Sequence, residues 1–251
     1  MRGFRWSRPQ SLAHLRNRPI QSVGLAEAAR LAACLPILFS RSTGGGFAPV
    51  AAVSLVNGGA TRLGPGDSLP ARYIPTLAGI YPFLPVLKGD TAALGVDMAS
   101  GHVFAAPDGD EAFGETDGTP TPYIATLRDA LPRVIADHKR AVRAVAILEK
   151  HGALTPIRAG AKTGLNAPLP LFSANPDKVA RLTGAALEEL WTSGAAQLLH
   201  AHLMSLNHLH DLLRKPVVPS MRPAQEAPVV DDEDGGFLDA LMGDLAREDG
   251  Q

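Results

Sequence analysis

The sequence predicts an α+β fold: a mostly antiparallel sheet in the N-terminal half, packed with helices from the C-terminal half. Between residues 37 and 105, short apolar runs are split by turn residues, the pattern of strands joined by hairpins. Beyond residue 125 the apolar period lengthens to that of a helix. Strands first and helices afterwards describe an α+β domain. Composition agrees: 25 Gly and 21 Pro, with only 5% aromatic residues, predict many turns and loops.

The elements follow in order. Ala-rich Leu25 to Leu35, with Glu27 and Arg30 for solubility, reads as a helix ended by Pro36. Strands are expected at 37–39, 47–56, 73–80, 83–87, 93–96 and 102–105. Gly44-Gly45-Gly46, Asn57-Gly58-Gly59, Gly64-Pro65-Gly66 and Lys88-Gly89-Asp90 are among the turns between them. Leu127, Leu131, Val134, Ile135, His138, Val142 and Val145 then share one helical face, and Pro132 inside that run is expected to kink or restart the helix. Further helices are expected at 177–183, 185–191 and 195–213.

Charge divides the chain into three parts. Residues 1–18 hold five Arg and no acid; residues 215–251 hold nine acids and three bases; the body between is balanced. Residues 1–19, with Pro9 and Pro19 and no periodicity, read as a disordered basic arm. Residues 20–214 read as the globular domain. Residues 215–251 read as a linker rich in proline and acid (Pro216, Pro219, Pro223, Pro228, then Asp231-Asp232-Glu233-Asp234), followed by a short amphipathic segment. In that segment Phe237, Leu238, Leu241, Met242 and Leu245 fall within an arc of about 140° at helical spacing. Such a stripe can fold on meeting a groove in a partner, or pack back on its own domain. Its acidic flanks oppose an anionic membrane surface.

These features exclude several classes. Nucleic-acid binding needs a basic stripe on the fold itself, and the body is neutral. The longest uncharged stretch, Ser42 to Thr61, is broken by glycines and Pro49, so no integral membrane segment is expected. No apolar run follows the basic residues at the N-terminus, so no secretory signal is expected. Cys34 is the only cysteine, which fits a reducing compartment. The expected location is the cytoplasm.

Candidate site residues come from two separated blocks. In the first, Arg72, Tyr73, Pro75, Tyr81, Pro82 and Phe83 concentrate two of the three tyrosines. The prolines limit regular strand pairing. A Tyr-Arg rim on a rigid crossing suits a carboxylate or an extended peptide. The blander alternative has the aromatics filling the core and Arg72 pairing an acid such as Asp97. The second block holds four of the eight histidines: His200, His202, His208 and His210. No two are three or four apart, and His202 and His210 lie about 12 Å apart along a helix axis, so they do not form a metal site. His202 sits within the apolar stripe of Leu198, Leu199, Leu206, Leu209 and Leu213, where its ring nitrogens need partners. It therefore reads either as a structural hydrogen-bonder or as part of a pocket with Arg72 and Tyr73. No catalytic residue and no cofactor are assigned: no P-loop, nucleophile elbow or dinucleotide fingerprint occurs.

Ala71-Arg72-Tyr73-Ile74-Pro75 with Tyr81-Pro82-Phe83, and Ala201-His202-Leu203-Met204-Ser205-Leu206 about 120 residues on, together resemble the SapC family. That family is named for a bacterial protein tied to secretion of surface-layer protein. The resemblance spans roughly residues 20–213 and includes Ala28-Ala29-Arg30 before Pro36-Ile37, Phe47-Ala48-Pro49-Val50-Ala51 and Asp117-Gly118-Thr119-Pro120-Thr121. The sequence departs from it at His200, where an aromatic is expected, and in lacking an Arg before Tyr81. The resemblance implies a cytoplasmic accessory to export of surface-layer protein, touching the exporter or its cargo. It also implies an association with outer-membrane receptors and flavin-dependent halogenases, and it supplies no catalytic residues. The expected function is a non-enzymatic protein that binds a polypeptide partner through the Tyr73/Tyr81 surface and the 237–245 stripe. The alternative is a small-molecule-binding protein or enzyme using a pocket around His202, Arg72 and Tyr73.

Overall fold

The computed structural model describes residues 3–42, 45–55, 61–70, 73–88, 91–105, 108–115, 118–157 and 170–214. Strands β1 (Phe4–Trp6), β2 (Ile20–Ser22), β3 (Ile37–Arg41), β4 (Phe47–Ala52), β5 (Phe83–Lys88), β6 (Thr91–Val96), β7 (Val103–Ala105) and β8 (Glu111–Ala112) lie in the first half. Strands β9 (Leu154–Pro156) and β10 (Leu171–Ala174) lie in the second. The helices are α1 (Ala28–Leu31), α2 (Thr76–Gly79), α3 (Pro122–Lys150), α4 (Pro176–Ala180), α5 (Ala185–Thr192) and α6 (Ala195–Arg214). The fold is α+β as expected, with strands dominating the N-terminal half and helices the C-terminal half.

A five-stranded antiparallel sheet in the order β2-β4-β3-β10-β9 forms the centre. β3 and β4 pair with Phe39 opposite Pro49. Their side chains alternate between two core clusters. Ile37, Phe39, Phe47, Ala51 and Val53 enter one, and Leu38, Ala48, Val50 and Ala52 the other. Burial on both faces explains why β4 reads as an unbroken apolar run instead of an alternating one. α3 and α6 supply both clusters: α3 adds Val145 and Leu148 to the first and Leu131 and Ile135 to the second. α5 reaches α6 through Gly194 at φ +84°, where an added Cβ would sit 2.9 Å from Leu25. Only glycine meets both demands without strain.

A three-stranded sheet, β7-β1-β8, corrects the expectation of a disordered arm over residues 1–19. Trp6 is 1% exposed, stacks on Tyr123 and meets Phe83 edge-on. Leu15, in a 3-10 turn over Ala13–Arg16, is fully buried. The segment lacks periodicity because two large apolar side chains anchor it, while Arg5, Arg8, Arg16 and Arg18 find partners far along the chain.

Three further expectations are corrected. Residues 73–80 form no strand: Pro75 caps the short helix α2 instead. The 25–35 helix shrinks to α1, because the Cys34 and Leu35 amides both return to the Leu31 carbonyl in a closing turn. Of the two outcomes expected at Pro132, a kink or a restart, the restart does not occur: α3 runs unbroken for 29 residues. Arg128, whose carbonyl loses its helical partner to Pro132, is exposed, so water can serve it. No helix among the described residues is long and apolar enough to cross a membrane.

Candidate functional site

Tyr81 ends the segment that follows α2, and its hydroxyl donates to Asp97 Oδ2 at 2.9 Å. The Arg18 guanidinium donates to the same oxygen at 2.9 Å, and the Ala99 amide donates to Oδ1 at 2.9 Å. Asp97 is only 8% exposed, so these donors replace the water that its charge has lost. Arg18 also lies over the Tyr81 ring, 5.3 Å from its centroid. The His14 ring stacks on Tyr81 at 4.3 Å. Burial, then the neighbouring Arg18 charge, push the His14 pKa down to about 4, so the ring is neutral at pH 7. Burial and the hydrogen bond to Asp97 push the Tyr81 phenol well above its usual range, which keeps it a donor.

Beside this cluster lies an open cleft of about 410 Å³. Residues 8–14 form one wall, the 3-10 turn Pro65–Asp67 with Ser68 and Leu69 a second, and Ile74 with Tyr81 a third. Tyr123 lines it too, with the Arg8 guanidinium 4.7 Å above its ring. The first two walls are tied by the Leu12 amide, which donates to the Asp67 carbonyl at 2.9 Å, and by an Arg16–Asp67 ion pair. Asp67 holds a left-handed backbone at φ 54°, the one positive φ at a non-glycine residue among those described. Ile74, 42% exposed, presents an apolar side chain at the cleft.

Tyr73 stands on the other side of α2 and serves the fold. Its hydroxyl donates to Glu27 Oε2 at 3.1 Å, beside the Thr76 amide at 2.9 Å and the Thr76 hydroxyl at 2.7 Å. The Gly24 amide donates to Oε1 at 3.0 Å. Four donors thus satisfy a carboxylate that is 5% exposed and pin α2 to α1. Burial raises the Tyr73 pKa. Arg72 lies outside the described residues, as do Phe237, Leu238, Leu241, Met242 and Leu245. Asp97, the acid that the sequence offers Arg72, is engaged by Arg18 and Tyr81.

His202 is fully buried on α6. The Ala174 amide donates to Nε2 at 3.1 Å, and the Ser173 hydroxyl lies 3.0 Å from it. An amide can only donate, so Nε2 is the acceptor and Nδ1 carries the proton, donating to the Ile37 carbonyl at 2.6 Å. One turn on, the Ser205 hydroxyl accepts from the Ile37 amide at 2.8 Å. The ring therefore clasps β3 and β10 to α6, and burial pushes its pKa down. Both ring nitrogens of His202 are thus engaged within the fold. Neither His202 nor Tyr73 lines the cleft, while Tyr81 does.

Sequence reasoning did not find His14, Arg18 or Arg8. They sit in a segment whose only sequence signal is its lack of acids, and that signal reads equally well as a solvated arm. Among the described residues, no group of three or more His, Cys, Asp or Glu is placed to hold a metal ion. No curated protein and no solved structure matches the chain. The SapC family model matches residues 2–212, a span that takes in the folded N-terminal segment, both tyrosines of the block and the His202 helix. The chain therefore belongs to the SapC family.

Proposed function

We propose that this protein is a non-enzymatic accessory factor that holds a segment of a polypeptide partner in the Tyr81 cleft. It would act in the cytoplasm, in surface-layer protein export or a related transport system, as the family's name suggests. The observation that carries the reading is the cleft's lining. Ile74, Leu12 and two tyrosines offer apolar and aromatic surface, and Arg8 stands over Tyr123. Tyr and Arg are the residue types that dominate binding energy at protein interfaces. The Asp97–Arg18–Tyr81 cluster fixes Tyr81 in place beforehand, which lowers the entropy lost on binding.

The cleft volume supports a second reading. About 410 Å³ falls within the roughly 300–1,000 Å³ typical of small-molecule sites. One comparison separates the two. Full-length wild type and Ile74→Asp are used to capture proteins from native lysate, and both are screened against small molecules by thermal shift. A polypeptide retained by wild type and lost by I74D, at equal melting temperature, supports the leading reading. Equal capture by both proteins overturns it. A small molecule that stabilises wild type alone, with no polypeptide retained, transfers the cleft to the second reading.

A further inference from the structure

We propose that residues 237–245 of the same chain occupy the Tyr81 cleft in cis, so that a partner must displace them. The proposal rests on the reading that this cleft accepts polypeptide, and it names the occupant present before any partner arrives.

The first argument is where the chain leaves the fold. In the last turns of α6, Asp211 pairs with Arg62 at 3.2 Å and the His208 ring lies 3.2 Å from the same guanidinium. Arg62 precedes Gly66 of the cleft wall by four residues, at most about 14 Å of extended chain. Residues 215–236 separate α6 from the stripe. Twenty-two residues reach at most about 75 Å when extended. The cleft is within that reach, and tethering at this length gives an effective concentration of order mM, enough for a weak contact to be occupied.

The second argument is chemical fit. Phe237, Leu241 and Leu245 recur at i, i+4 and i+8, the anchor spacing of a segment that lays one face in a groove. The cleft offers one apolar side, with Ile74 at 42% exposure among its lining residues. The third argument is charge. Asp239, Asp244 and Glu248 accompany the stripe, and Asp231-Asp232-Glu233-Asp234 precedes it. The wall formed by residues 8–14 follows a stretch with no acid. Arg16 and Arg18 are neutralised within the fold by Asp67 and Asp97. Arg8 stands at the cleft with a side chain 57% exposed, over the Tyr123 ring and 4.0 Å from Glu111. A solvated guanidinium of this kind costs little to re-pair with an incoming carboxylate. Docking in cis would join the two charged ends of the chain.

The test places a photo-crosslinking benzoylphenylalanine at position 241 of the full chain and maps the products by mass spectrometry. The expected products have monomer mass at every dilution and join position 241 to peptides containing residues 8–14 or 73–81. Ile74→Asp should lower their yield several-fold. Cross-links confined to other segments, products of dimer mass only, or a yield indifferent to I74D would each overturn the proposal. A second measurement compares hydrogen exchange in wild type and Leu241→Asp. Residues 9–14 should exchange several-fold faster in L241D, and identical exchange would also overturn the proposal. If the cross-links appear as expected and no partner is captured by wild type or by L241D, the contact in cis stands and the partner reading of the cleft fails.

Discussion

The Nδ1–H of His202 donates to the carbonyl of Ile37 at 2.6 Å, across 165 residues of chain. Ser205 takes the amide of the same residue, so one turn of α6 satisfies both backbone groups at the start of β3. His202→Ala should leave the Ile37 carbonyl and the Ala174 amide unpaired in the core. Each orphaned group costs about 1–3 kcal/mol. Chemical denaturation should therefore show a loss of at least about 2 kcal/mol, while cleft binding measured below the new midpoint stays intact. A variant of unchanged stability that loses binding would return His202 to the role of a ligand-binding residue.

Tyr81 and Arg18 share one oxygen of Asp97, so their contributions are coupled. Tyr81→Phe keeps the ring stacked on His14 and removes one hydrogen bond to a charged group, a loss of about 1.5–3 kcal/mol. Asp97→Ala leaves Arg18 without its carboxylate in a mostly buried site and should cost about 3–5 kcal/mol. The double variant should lose less than the sum of the two, by about 0.5–3 kcal/mol. Strict additivity in urea melts would show that the cluster does not act as a unit.

How much of this was legible in the sequence depends on how local each cause is. His202 could be singled out because one polar residue in an apolar helical stripe must find partners. Its partners could not, because Ser173 and Ala174 lie in a four-residue strand that shows no alternation. Tyr81 stood out as an aromatic among prolines. Asp97 was noticed only as a possible partner for Arg72, and its pairing with Arg18 was not, since 79 residues separate the two. The change from mostly strands to mostly helices along the chain was readable from period alone. The packing of residues 4–16 was not, because Trp6 and Leu15 act singly and leave no period. Tyr73 and Tyr81 looked like one surface, and the unforeseen helix α2 between them sends each to a different carboxylate.

Gly24 sits against Asp137 of α3. A Cβ there would overlap Asp137 Oδ2 and lie 3.2 Å from Cγ. That carboxylate cannot simply swing aside, since it accepts from the Ala26 amide and from Arg140. Gly24→Ala should therefore cost about 1–3 kcal/mol as local overpacking. Removing the obstacle should recover part of this: in thermal melts, Ala should be better tolerated at 24 in an Asp137→Ala background than in wild type. Equal penalties in both backgrounds would locate the cost in the backbone of Gly24 instead.

His14 should make the fold sensitive to mild acid. Its folded pKa is about 4, against 6.5 when free, so between these values the unfolded chain binds a proton that the native chain refuses. Stability linked to this group is thus complete above pH 6.5 and is lost as pH falls toward 4. At about 1.4 kcal/mol per pKa unit the full loss would be about 3.5 kcal/mol, an upper bound for a ring that keeps some solvent contact. His14→Phe retains a flat ring over Tyr81 and cannot titrate. Urea midpoints measured from pH 7 to pH 4.5 should fall for both proteins as carboxylates protonate, but less steeply for H14F. Parallel slopes would mean that the native state protonates His14 without cost.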